Sequence, residues 1–118
     1  MADAVIYHNP ACGTSRNTLA ALREAGVEPE VVEYLKAGWT KPLLKKLLAG
    51  MGAKPRDVLR TRGAPPEAVA LVGEGASDEA VLGAMVRFPI LVERPIVVTA
   101  RGTRLCRPME RVQELLPA

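Results

Sequence analysis

Cys12 stands between a short apolar stretch, Ala4-Val5-Ile6-Tyr7, and a helix-like stretch that begins near Thr14. The segment joining them, His8-Asn9-Pro10-Ala11-Cys12-Gly13, is built of turn and cap residues. The pattern is a strand, a tight turn and a helix start, with a thiol at the turn. The thiolate is the reactive form of cysteine. A helix N-terminus offers unpaired N–H groups and positive partial charge, and both favour an anion. His8, the sole histidine of the protein, lies four residues before the thiol, and Arg16 lies four residues after it. Both can supply positive charge, and with Ser15 they form the candidate thiolate-stabilising set. These residue types at these spacings read as a low-pKa nucleophilic cysteine that meets an anionic partner. The competing reading is a buried cysteine acting as a small hydrophobe. The Pro, Gly, Thr and Ser neighbours, which are not those of an apolar run, favour the reactive one. Taken singly, His8 is equally a hydrogen-bonded residue at a strand end, and Arg16 a solvated helix residue.

The elements that must position this turn follow from the pattern. Val5-Ile6-Tyr7 reads as a strand and Thr14 to Ala25 as a helix, with Leu19 and Leu22 on one face and Gly26 as its stop. Glu30 to Tyr34 reads as a second strand. Strand–helix–strand with short joins gives parallel neighbours and a right-handed crossover. Thr40 caps a helix carrying Leu43, Leu44, Leu47, Leu48 and Met51 at helical spacing, ended by Gly50 and Gly52. A short helix follows over Arg56 to Leu59, then a loop from Arg60 to Pro66 and a turn or two of helix over Glu67 to Val72. Ser77 caps a helix that runs to about Arg87. Phe88 to Val92, Pro95 to Thr99 and Arg104 to Cys106 read as strands, and Pro108 opens a final helix with Val112, Leu115 and Leu116 facing inward. The order βαβ, helices, ββ and a last helix predicts an α/β fold: a thioredoxin-like mixed β-sheet flanked by helices, with an inserted helical region.

The 118 residues suffice for a single domain, 1–118, that buries roughly two-thirds of its unfolded surface. With one Phe, one Trp and two Tyr, the core must be mostly Leu, Val, Ile and Ala. A net charge of +3 without a Lys/Arg run, and with so few stacking aromatics, argues against nucleic acid as a partner. No apolar stretch approaches a membrane span, and Met-Ala-Asp-Ala does not open a signal peptide, so a cytoplasmic, reducing setting is expected. A disulfide between Cys12 and Cys106 is then not expected. One His and two Cys do not make a zinc site.

The segment His8-Asn9-Pro10-Ala11-Cys12-Gly13-Thr14-Ser15-Arg16-Asn17 closely resembles the active-site segment of the glutaredoxin- and glutathione-dependent arsenate reductases. The resemblance continues through Pro89-Ile90-Leu91-Val92-Glu93-Arg94-Pro95-Ile96-Val97-Val98-Thr99 and returns in Gly102-Thr103-Arg104-Leu105-Cys106-Arg107-Pro108. Three segments in consistent order over nearly the whole sequence are highly specific. The resemblance implies that Cys12 attacks arsenate, that Arg60, Arg94 and Arg107 hold the oxyanion, and that His8 favours the thiolate. It also places a cis proline at Pro95. From spacing alone, Arg60 and Arg62 share one loop and neither is preferred. The resemblance implies no bound cofactor, with glutathione as co-substrate and glutaredoxin as the protein that clears Cys12. The absence of any Cys-x-x-Cys fits thiols that come from outside.

Cys106 could be a resolving thiol, but it falls in a strand pattern and reads as a core residue. Many family members extend beyond the last helix, where this sequence stops at Pro117-Ala118. The alternative is a thioredoxin-like regulatory or glutathione-adduct-handling thiol protein without arsenate activity. A Cys-x-x-Cys redox switch is missing from it, because Ser15 stands three residues after Cys12. A phosphatase-like reductase needs Cys-x5-Arg, and Thr18 occupies that arginine's place.

Overall fold

The computed structural model describes residues 4–117. They divide into two compact units, one formed by residues up to 37 and from 94 onward, the other by Gly38–Glu93. The second unit is the inserted helical region expected from the sequence.

The first unit is built on a four-stranded mixed sheet in the order β2-β1-β3-β4. Its strands are β1 (Ala4–His8), β2 (Glu30–Glu33), β3 (Ile96–Thr99) and β4 (Gly102–Leu105). β1 pairs with β2 in parallel, and β3 runs antiparallel to both β1 and β4. The parallel pair is bridged by helix α1 (Gly13–Glu24). That helix stops where Gly26 adopts φ 82°, a left-handed conformation that costs a β-carbon-bearing residue more. Alternation along β1 buries Ala4, Ile6 and His8 on one face. Ile6 and Val97 sit opposite each other in the register and join Leu22, Cys106, Val112 and Leu115 in the core of this unit. The histidine thus belongs to the same face as the core residues that meet α1.

Two elements of this unit differ from the sequence reading. Tyr34 is fully buried at the start of a short helix, α2 (Tyr34–Ala37), and does not end a strand. The last helix is a 3₁₀ helix over Met109–Leu115, with Val112 and Leu115 buried as expected.

The second unit holds α3 (Lys41–Met51), α4 (Pro66–Leu71) and α5 (Asp78–Arg87), with 3₁₀ turns at Pro55–Val58 and Pro89–Leu91. Thr40 Oγ1 accepts from Leu43 N–H at 3.3 Å, and Ser77 Oγ accepts from Ala80 N–H at 3.1 Å, so both expected caps are in place. Gly52, at φ 64°, ends α3, while Gly50 remains inside it. Leu44, Leu47 and Leu48 from α3 and Val81, Leu82, Ala84 and Met85 from α5 form the buried faces.

The strand expected over Phe88 to Val92 is absent. Pro89 lacks the N–H that a ladder needs and opens a 3₁₀ turn, closed by Leu91 N–H on Phe88 C=O. What remains of the pairing is one antiparallel bridge, Leu59 opposite Val92. It is flanked by Arg60 N–H to Leu91 C=O at 2.7 Å and Glu93 N–H to Val58 C=O at 2.8 Å. No helix among the described residues is long and apolar enough to cross a membrane.

Candidate active site

The register of the sheet decides which residues meet Cys12. β3 is antiparallel to β1, with Ile96 opposite Tyr7, so Pro95 comes level with His8 at the end of β1 and Arg94 falls just beyond it. β4 reverses again, with Leu105 opposite Ile96, which returns Cys106 and Arg107 to that same end. Cys106 N–H continues the ladder onto Pro95 C=O at 2.9 Å. The Arg94–Pro95 peptide is cis, and so is Arg107–Pro108, which sequence reading missed.

The turn itself is organised by Asn9. Its Oδ1 accepts from Ala11 N–H at 2.9 Å, and its C=O accepts from Cys12 N–H at 3.0 Å. Cys12 then occupies the cap position of α1 in extended conformation, and its C=O accepts the first helical hydrogen bond, from Arg16 N–H at 3.0 Å. The signal for Asn9 was present as an Asn-Pro turn dipeptide, although no role was assigned to it from sequence.

Cys12 is partly exposed, and its thiol pKa is lowered. Burial is the largest single influence and works against the thiolate. It is outweighed by the Ser15 backbone N–H, by hydrogen bonds from the Arg94 and Arg107 side chains, and by the charge of Arg94. Arg107 Nη1 lies 3.6 Å from Cys12 Sγ and also donates to the backbone carbonyl of Arg94 at 3.1 Å. Arg94 Nε and Nη1 are buried and hydrogen-bond to nothing. Buried donors of a charged group without partners are expensive, and here they belong to a side chain that stands beside the Cys12 thiol.

His8 and Ser15 are coupled: His8 Nδ1 and Ser15 Oγ are 2.6 Å apart, and Ser15 Oγ also accepts from Asn9 N–H at 3.1 Å. Burial pulls the His8 pKa down, as do Arg23 and Arg16, while Glu33 opposes them. At neutral pH the imidazole is therefore neutral. His8 is thus linked by its side chain to Ser15, the residue whose backbone N–H faces Cys12. Arg16 Nη1 donates to Pro10 C=O at 2.8 Å and braces the turn.

Cys106 is fully buried, and burial pushes its thiol up to about 12. A thiol so held is a packing group at physiological pH. Arg60 lies in the second unit, where its Nη1 donates to Glu93 Oε1 at 3.0 Å and its Nε is buried with no hydrogen-bond partner. Among the described residues, no group of three or more His, Cys, Asp or Glu converges as metal ligands would.

A cysteine nucleophile with guanidinium donors beside it suits a tetrahedral oxyanion, whose adjacent oxygens match the planar fork of arginine. Comparison with known proteins agrees. The ArsC family model matches residues 7–115. The arsenate reductase ArsI2 of Synechocystis is 54% identical over 112 residues, spanning 95% of this protein and 80% of that one. The arsenate reductase of Escherichia coli K12 is 49% identical over 117 residues, spanning 99% and 83%. Among solved structures, the arsenate reductase from Vibrio cholerae superposes with a TM-score of 0.88 at 39% identity, over 98% of both proteins.

Proposed function

The protein belongs to the ArsC family and is an arsenate reductase; we propose that it works through a Cys12 thiol–arsenate adduct resolved by glutathione and glutaredoxin. In this reading the Cys12 thiolate attacks arsenic and an arsenate oxygen departs as water after taking up protons. A glutathione thiolate then bonds to the Cys12 sulfur. The electron pair of the S–As bond leaves with arsenic, which goes from As(V) to As(III) and departs as arsenite. Cys12 is left in a mixed disulfide with glutathione, and glutaredoxin exchanges it away by attack on the glutathione sulfur.

Each side group has a part that its chemistry supports. Ser15 N–H, Arg94 and Arg107 hold the attacking sulfur as thiolate. Arg94, Arg107 and Arg60 bind the oxyanion and stabilise the charge that builds on its oxygens. His8 and Ser15 set the geometry of the helix start. Cys106 takes no part, since a thiol at about 12 is neither nucleophile nor leaving group near neutrality. The setting is the cytoplasm, where a glutathione pool keeps Cys12 reduced between turnovers.

The observation that carries this reading is the pair of buried, unpartnered donors on Arg94 beside a thiol whose pKa is lowered. A regulatory thiol protein has no use for desolvated guanidinium donors awaiting an anion. The test is arsenate turnover with glutathione and glutaredoxin each omitted in turn, alongside Cys12→Ser. Turnover should need all three. Undiminished turnover without glutathione and glutaredoxin, or in Cys12→Ser, would overturn the mechanism.

A further inference from the structure

Arg60 is not left to find its own orientation. Its backbone is pinned to the segment before Arg94 by Arg60 N–H to Leu91 C=O and Glu93 N–H to Val58 C=O on either side of the Leu59–Val92 bridge. Its guanidinium is held by Glu93, with Arg60 Nη1 to Glu93 Oε1 at 3.0 Å. Both side chains are largely buried, at 16% and 23% exposure, so this is not a screened surface pair. The contact engages one end of the guanidinium and leaves Nε buried with no hydrogen-bond partner.

The neighbouring residue repeats the arrangement with its backbone. Arg94 C=O accepts from Arg107 Nη1 at 3.1 Å, while the Arg94 guanidinium itself keeps Nε and Nη1 unpartnered.

We propose that Glu93 is a positioning residue of the oxyanion site, holding the Arg60 guanidinium by one nitrogen so that the rest of its fork stays presented to the anion. The inference rests on the reading of Arg60 as an oxyanion ligand. Glu93 contacts no substrate in this account. It repels an anion by its own charge, and its gain is orientation: an arginine free to rotate loses much of its paired hydrogen bonding.

The test is a double-mutant cycle on Arg60→Ala and Glu93→Ala, read by KM and kcat for arsenate. A second readout is the arsenate concentration that half-protects Cys12 from iodoacetamide, which reports binding without turnover. Glu93→Ala should raise both KM and the protecting concentration about tenfold, on the scale of one charge-assisted hydrogen bond, with a smaller change in kcat. The same substitution in an Arg60→Ala background should do nothing further. Glu93→Gln keeps an acceptor oxygen and should stay within about threefold of the parent. If Glu93→Ala does not fold, Glu93→Met fills the same volume without an acceptor and carries the same expectation. An effect of Glu93→Ala that survives in the Arg60→Ala background would overturn the proposal, as would no effect where Arg60→Ala has one. If Arg60→Ala itself changes nothing, the assignment of Arg60 to the oxyanion fails first.

Discussion

Replacing Arg94 with lysine separates charge from geometry at the site. Arg94 Nε and Nη1 are buried and make no hydrogen bond in the free protein. Their loss therefore breaks no native contact through those atoms, and stability should stay within about 1 kcal/mol of the parent. Bound to arsenate, one edge of the guanidinium can offer two N–H donors to adjacent oxygens, and one ammonium can replace only one of them at the right place. The net loss is about one charge-assisted hydrogen bond, about 1.5–3 kcal/mol, or roughly one to two decades in kcat/KM. The positive charge beside Cys12 is retained although the guanidinium hydrogen bond to the thiol is lost, so alkylation by neutral iodoacetamide, measured above the thiol's midpoint, should change little. Arg104→Lys is the control. Arg104 is paired with Glu114 at 3.2 Å and with Thr103 C=O at 2.8 Å, and it is not among the groups that shift the Cys12 thiol. The assay is arsenate-dependent turnover with saturating glutathione and glutaredoxin, beside thermal melts of each variant. Equal losses in Arg94→Lys and Arg104→Lys would refute the reasoning and leave a diffuse positive field as the better account. A large loss of stability in Arg94→Lys would refute it differently, by showing that the unpartnered donors do structural work.

The Cys12 thiol should alkylate with a midpoint below the free-cysteine value of about 8.5, and a midpoint at or above that value would contradict the thiolate assignment. His8, as the sole imidazole, can be followed directly by NMR, and it should titrate below about 6.5 because burial lowers it. The unfolded state then takes up its proton first. This group's contribution to stability is accordingly fully present above about 6.5 and lost as pH falls from there through the lower folded-state value, and a His8 midpoint above 6.5 would reverse the sign. Cys106→Ser should keep most of the arsenate turnover, and Cys106 should resist alkylation until the protein is denatured, since its thiol sits at about 12. Loss of turnover in a folded Cys106→Ser protein would bring a second enzyme thiol into the mechanism.

Much of this protein was legible in the order of its residues. The βαβ opening, the caps at Thr40 and Ser77, the stop at Gly26 and the thiol at a helix start are local features, each decided within a turn or two of backbone. The three quoted segments identified the family for the same reason, because motifs are contiguous. Where local patterns were ambiguous, burial and partners decided. Tyr34 looks like the end of a β-rich run but is buried at a helix start, and Phe88 to Val92 looks like a strand until Pro89 denies it a ladder. The site depended still more on long-range pairing. Nothing in the spacing of Arg94 and Arg107 joins them to Cys12, but two antiparallel registers bring them to the same end of the sheet as His8. Protonation states were out of reach of the sequence altogether. His8 read as a source of charge, but its pKa is lowered, chiefly by the water that folding removes. The same desolvation, acting on two cysteines of one protein, leaves Cys106 inert, and at Cys12 it is overcome by donors that only the fold supplies.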